Sequence, residues 1–89
     1  ITMDTVRADH LSLYGYKRDT TPNLRKLAEG ATLYVNSFAS SDMTLSSHAS
    51  LFTGLYPRVH GVNYTEGRPL PEEFRTLAEI LRDNGYAAA

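Results

Sequence analysis

Thr44 lies at a position where its hydroxyl group could take part in a reaction. It directly precedes Leu45, the first residue of the apolar pattern of a predicted helix, so we expect it to act as the N-cap. Free backbone N–H groups and a partial positive charge suit such a helix end to a phosphate or sulfate group. A base or a metal ion would have to activate the hydroxyl before it could attack an ester. The alternative is that Thr44 only caps the helix.

Asp4 is the second candidate. It follows the short apolar run from Ile1 to Met3, which we interpret as the end of a buried strand. Ligands collect beyond the carboxyl ends of strands in open α/β sheets, and a carboxylate there suits a hard cation such as Ca²⁺ or Mg²⁺. An aspartate that only caps the following turn is the alternative.

The composition excludes several classes of function. The 89 residues carry 9 basic and 10 acidic side chains, which give a net charge of −1 and no basic surface of the kind that nucleic-acid binding requires. No apolar run approaches the roughly 20 residues that span a bilayer. The absence of cysteine excludes disulfides, thiolate zinc sites and a cysteine nucleophile. None of these observations indicates a cellular location.

Proline and glycine mark the elements that must position these residues. Thr21 offers a capping hydroxyl, Pro22 suits the first helical position and Gly30 follows the last, which predicts a helix over residues 22–29. Residues 31–38 alternate in polarity and are rich in β-formers, which predicts a strand. A helix followed by a strand favours an α/β arrangement.

The helix that begins at Thr44 is predicted from its apolar spacing. Leu45, Ala49 and Phe52 share one helical face, and Gly54 is placed to end the helix. Residues 7–21 and 55–70 show no sustained period, and we expect loops there, the first of them ordered. A last amphipathic helix is predicted over residues 76–84, closed by Gly85. Its inward face should comprise Leu77, Ile80 and Leu81.

Three segments, taken in order, resemble the N-terminal part of the sulfatase family within the alkaline phosphatase superfamily. They are Asp4–Tyr16, Thr21–Leu24 and Thr44–Val62. The resemblance implies an α/β fold, the N-terminal part of an alkaline-phosphatase-like sandwich with a mixed β-sheet flanked by helices. It also implies that residues 1–89 are the N-terminal fragment of a single catalytic domain, and that this fragment alone is inactive.

The resemblance implies roles for Asp4 and Thr44. Asp4 matches the family's metal-ligating aspartate at the end of the first strand, and Thr5 stands where many members carry a second aspartate. Thr44 occupies the place of the Cys or Ser that is converted to formylglycine, the nucleophile and metal ligand. Because threonine carries a methyl group on Cβ, we expect no formylglycine here. The implied cofactor is a divalent metal, Ca²⁺ first, with Mg²⁺, Mn²⁺ and Zn²⁺ as alternatives.

Two further departures from the family pattern concern the same helix. Ser46 replaces a proline, and His48 replaces the arginine that braces the nucleophile. Thr44 and His48 are therefore the expected catalytic residues of a Thr-nucleophile variant. The implied function is metal-dependent hydrolysis of a sulfate ester, or of a related phosphate or phosphonate ester, on a small molecule, glycan or lipid headgroup. The alternatives are a phosphoethanolamine-type transferase or phosphoesterase, and a non-catalytic sulfatase-like binding module.

Three other polar residues carry weaker signals. We expect His10 and His60 to form structural hydrogen bonds, the alternative being that they line a substrate pocket. Arg7 is expected to pair with Asp4 or Asp9, the alternative being that it faces a substrate anion.

Overall fold

The computed structural model describes residues 2–63 and 65–88. The chain divides into two compact units, one up to Phe38 and the other from Ala39 onward. Four α-helices lie along the chain: α1 Pro22–Ala28, α2 Thr44–Thr53, α3 Pro57–His60 and α4 Leu77–Asp83.

In the first unit, hydroxyl groups organise the loop that precedes α1. The loop contains two 3₁₀ turns, Ala8–His10 and Ser12–Tyr14. The Thr21 hydroxyl oxygen accepts from the Leu13 N–H at 3.1 Å and lies 3.0 Å from the Ser12 hydroxyl, so it binds the loop and forms no cap hydrogen bond with α1. The prediction of an ordered loop followed by a helix is confirmed.

The expected mixed β-sheet is wrong. Residues 2–63 and 65–88 contain no strand, and residues 31–38, predicted as one, are irregular and exposed, with Val35 73% and Phe38 89% accessible. Ile1 lies outside the described residues, and Thr2 and Met3 are not in a strand. A strand exists only where its N–H and C=O groups pair with a neighbouring strand, and alternating side chains do not supply that partner.

In the second unit, α2 packs against α3 and α4. The helix occupies the predicted residues, and Gly54 follows it in the left-handed conformation at φ 72°. Its buried face is nevertheless Ser46, Ala49 and Ser50, whereas Leu45 and Phe52 are 45% and 47% exposed. The predicted apolar face is therefore wrong except at Ala49, because hydroxyls that find partners on the neighbouring segment can be buried as well as apolar groups.

The short helix α3 lies inside the segment predicted as a loop. Pro57 occupies its first turn, and Gly61 ends it in the left-handed conformation at φ 68°. A proline at the start and a glycine after the end also mark α1, but in α3 they enclose a single turn. No described helix is both long enough and apolar enough to cross a membrane.

A capping box begins α4 and confirms the predicted helix. Thr76 donates its N–H to Glu79 Oε2 at 2.7 Å and its hydroxyl to the same oxygen at 2.8 Å, while the Glu79 N–H donates back to Thr76 Oγ1. The hydrogen bond from the Thr76 backbone, together with that from its hydroxyl, holds the pKa of Glu79 below its ordinary value of 4.5. Leu77 and Ile80 of this helix are exposed, contrary to the prediction, and Leu81 is half-buried.

The capping box should make the stability of the second unit depend on pH. Because the folded-state pKa of Glu79 is depressed, its stabilisation is complete above pH 4.5 and is lost as the pH falls through the lower folded-state pKa. The variant Glu79→Gln keeps a side-chain acceptor but cannot titrate. Urea unfolding midpoints measured across this range should fall less steeply for Glu79→Gln than for the wild type. Parallel pH profiles would contradict the assignment.

Candidate functional site

Thr44 opens the first turn of α2. The N-cap is the preceding residue, Met43, in an extended conformation (φ −100°, ψ 128°), so the prediction that Thr44 caps the helix is wrong by one position. The Met43 carbonyl accepts the first helical hydrogen bond from the Ser47 N–H at 2.9 Å. Thr44 itself is exposed. It lies in the first turn of a ten-residue helix, where backbone N–H groups have no partner within the helix.

His48 lies one turn further along α2 and is bound to the backbone of Thr44. Its Nδ1 is 2.8 Å from the Thr44 carbonyl oxygen, which can only accept, so Nδ1 carries a proton. In the neutral ring, Nε2 then has the lone pair. The half-buried ring lies beside Phe52, with ring centroids 6.3 Å apart. Thr44 and His48, the two predicted catalytic residues, are thus linked in the structure.

Asp4 belongs to the first unit, where it is exposed. Its Oδ1 accepts from the Thr5 N–H at 3.0 Å, and its carbonyl accepts from the Thr5 hydroxyl at 2.8 Å. Thr5 is in the left-handed region at φ 55°, a conformation that costs a β-branched residue about 1–3 kcal/mol. The role of Asp4 as a metal ligand stays a prediction.

The described residues do not by themselves complete a metal site. No group of three or more His, Asp or Glu side chains that could hold an ion occurs within residues 2–63 and 65–88. The predicted ligands Asp4 and Thr44 offer carboxylate and hydroxyl oxygens, the donor type that hard cations prefer. The donor chemistry of these two residues therefore fits Ca²⁺ or Mg²⁺, but two side chains are too few to hold either ion.

Arg7 pairs with Asp9, one of the two predicted partners. The guanidinium donates twice, from Nε at 3.1 Å and from Nη2 at 2.7 Å. This bidentate contact lowers the pKa of Asp9 and raises that of Arg7. His10 stacks on Tyr16 with ring centroids 4.9 Å apart.

His60 forms structural hydrogen bonds, as predicted, and is only 1% exposed. Its Nδ1 accepts from the Val62 N–H at 3.1 Å, so in the neutral ring the proton is on Nε2. Nε2 lies 2.9 Å from Ser50 Oγ and therefore donates to it. A histidine that donates to a serine cannot take that serine's proton, so Ser50 and His60 are not a nucleophile and its base. They join α2 to the end of α3.

A cleft beside the first turn of α2 was not predicted. It has a volume of about 570 Å³, and its lining includes Met43 and Ser46, which flank Thr44 in sequence, together with Arg58 and Arg68. Both arginines lie in the segment interpreted as a loop. The combination of Pro57 and Gly61 was the signal that could have located Arg58 on a helix.

Comparison with known proteins extends over the whole chain. The sulfatase family model matches residues 1–89. The chain is 34% identical over 86 residues to the ulvan-active sulfatase of Formosa agariphila, with 82% of this chain and 14% of that protein covered. It is 31% identical over 99 residues to human steryl-sulfatase, with 94% of this chain and 17% of that protein covered.

A third relative is the N-acetylgalactosamine-6-O-sulfatase of Bacteroides thetaiotaomicron, 30% identical over 91 residues, with 98% of this chain and 18% of that protein covered. The chain thus spans less than a fifth of the length of these relatives. No solved structure matches the chain at a significant level. On the strength of the family match over its full length, the chain belongs to the sulfatase family.

Proposed function

We propose that the full-length protein hydrolyses sulfate esters, with Thr44 as the nucleophile. The observation that carries this proposal is the position of Thr44, an exposed residue in the first turn of α2, in a chain of the sulfatase family. Relatives are named for sulfatase activity on ulvan, on a steroid and on N-acetylgalactosamine. A sulfate ester on a glycan or another small molecule is therefore the proposed substrate class.

In the proposed reaction, Thr44 Oγ attacks the sulfur in line with the leaving oxygen. The hydroxyl proton passes to a base, the Oγ–S bond forms, and the S–O bond to the substrate alcohol breaks as that alcohol takes up a proton. The N–H groups of the first turn of α2 stabilise charge on the sulfuryl oxygens. Water then cleaves the Thr44 sulfate ester and releases inorganic sulfate.

His48 supports this site in two ways. Its bond from Nδ1 to the Thr44 carbonyl braces the turn that carries the nucleophile. Because Nδ1 holds the proton, Nε2 is the nitrogen that can accept one in the neutral ring. We therefore assign His48 as a positioning residue whose Nε2 can exchange a proton with the bound substrate.

Asp4 and Thr44 are the residues of this chain proposed to hold a divalent cation, Ca²⁺ first, with Mg²⁺, Mn²⁺ or Zn²⁺ as alternatives. Bound there, the ion would polarise an ester oxygen and lower the pKa of a hydroxyl ligand. The hard oxygen donors of both side chains support this assignment.

A second candidate function is hydrolysis or transfer of phosphate or phosphonate esters. Thr44 favours it, because an unmodified hydroxyl can attack phosphorus as well as sulfur and no aldehyde hydrate is available. A non-catalytic binding module is the third, favoured by the departures from the family pattern at Thr5, Ser46 and His48.

A parallel assay of the full-length protein tests these alternatives. An aryl sulfate, a phosphate monoester, a phosphate diester and a phosphonate are supplied at equal concentration, with and without a chelator. We expect turnover to be highest on the sulfate and to be lost with the chelator and restored by added Ca²⁺. A preference for a phosphorus ester would support the second function, and no turnover of any ester would support the third. Turnover that resists the chelator would contradict the metal assignment.

A further inference from the structure

We propose that the cleft beside the first turn of α2 binds a second anionic group of the substrate, a sulfate or carboxylate on the sugar adjacent to the one that carries the reacting ester. The inference rests on the proposed function and extends it from a sulfate ester to an acidic, multiply charged glycan. It depends on three properties of the cleft: its place beside Thr44, the fixed position of its wall and its charge.

The cleft lies next to the proposed nucleophile. Met43 and Ser46 both line it, and Thr44 lies between them in the first turn of α2. Its volume of about 570 Å³ falls within the range of sites that accept small ligands. A substrate that places its ester at Thr44 can therefore extend an adjoining group into this space.

The wall that carries Arg58 is held in position. Arg58 is on α3, which is joined to α2 by the buried contact between His60 and Ser50. A second buried bond, 2.7 Å from the Ser46 hydroxyl to the Val62 carbonyl, fixes the chain just beyond α3. The backbone that carries Arg58 thus cannot move away from α2 without breaking buried hydrogen bonds.

The charge of the cleft favours an anion. Two guanidinium groups and one carboxylate line it, and Arg68 Nε is paired with Glu66 Oε2 at 2.7 Å. Within the described part of the chain, no carboxylate lies within ion-pair distance of Arg58. One positive charge is therefore in excess, on a group whose fork of N–H donors matches sulfate and carboxylate oxygens.

The lining also offers neutral polar groups. Asn63 and Thr65 both line the cleft. Asn63 Oδ1 also accepts a hydrogen bond from the Glu66 N–H at 2.7 Å, and this bond shapes the turn that carries Glu66 and Arg68. Hydroxyl and amide groups of this kind suit the hydroxyl groups of a sugar ring. The polar part of the lining, which includes Asn63, Thr65 and the two arginines, therefore suits an acidic sugar.

The test compares full-length wild type with Arg58→Gln on two substrates. One is a sulfated disaccharide whose second sugar is a uronate, and the other is 4-nitrophenyl sulfate, which lacks a second anion. We expect Arg58→Gln to raise KM for the disaccharide about three- to tenfold with kcat unchanged, because the substitution removes one charged contact that is partly exposed to solvent. Both constants for the aryl sulfate should stay as in the wild type.

Glu66→Gln is the matched control, because it removes the opposing negative charge from the same cleft. It should lower KM for the disaccharide. Equal effects on the two substrates, or no effect of Arg58→Gln, would overturn the proposed subsite while leaving the sulfatase activity in place. If neither substrate is turned over, the proposed function fails, and calorimetric titration with the disaccharide decides the subsite: weaker binding to Arg58→Gln supports it, and equal or undetectable binding overturns it.

Discussion

Replacement of Thr44 by alanine in the full-length protein should reduce ester turnover by about 10³-fold or more. The substitution removes the only atom proposed to form the covalent intermediate, and losses of this size are typical when a nucleophile is deleted. Alanine is a good helix former, so α2 should persist in Thr44→Ala. The measurement is kcat on the preferred ester, with circular dichroism as the check on folding.

Thr44→Ser provides the matched control, because it keeps the hydroxyl and loses only the methyl group. It should retain turnover within about tenfold of the wild type, since positioning of the attacking oxygen is relaxed but the reacting atom remains. Activity near that of the wild type in Thr44→Ala would contradict the assignment of the nucleophile.

The largest effect on stability is expected at His60. Its side chain is 1% exposed and holds two partners, the Val62 N–H and the Ser50 hydroxyl. His60→Ala removes the acceptor of a buried N–H and leaves a cavity, which together should cost about 3–5 kcal/mol in the free energy of unfolding. Chemical denaturation of the full-length protein, monitored by a spectroscopic probe in the second unit, measures this loss of unfolding free energy.

Two further measurements separate this structural role from a catalytic one. Ser50→Ala removes one partner of His60 and should cost about 1–3 kcal/mol, less than His60→Ala. Nitrogen chemical shifts should show that His60 carries its proton on Nε2, because Nδ1 accepts from the Val62 N–H. A proton on Nδ1, or stability unchanged in His60→Ala, would contradict the arrangement described.

Three of the four described helices, α1, α2 and α4, were predictable because their signals are local. Pro22 at the start of α1, Gly54 after α2 and the Thr76 capping hydroxyl each act within one turn, and the structure places helices at all three. The prediction of a strand over residues 31–38 was wrong, because a strand needs a pairing partner and a short alternating pattern cannot specify one. Local chemistry thus sufficed for α1, α2 and α4, whereas α3 was missed and the predicted sheet was wrong.

The buried face of α2 was mispredicted for a related reason. Counting apolar residues selected Leu45 and Phe52, whereas Ser46 and Ser50 are buried, because Val62 and His60 offer them partners. Those partners are ten or more residues away in sequence. Buried serines of this kind cannot be recognised from the spacing of apolar residues along a single helix.

For the candidate site, the sequence placed Thr44 and His48 on one helix, and the structure adds the bond between His48 Nδ1 and the Thr44 carbonyl. The spacing of four residues made their proximity predictable. The cleft was not predictable, because it depends on how α3 and the turn at Glu66 are folded against α2. Their positions follow from tertiary contacts of the buried serines.

The left-handed backbone of Thr5 also bears on how this position tolerates change. Asparagine and aspartate adopt positive φ more readily than threonine does, so the conformation at φ 55° suits either of these residues better than the threonine that adopts it. Substitution of Thr5 by asparagine or aspartate should therefore lower the conformational cost of the main chain next to Asp4.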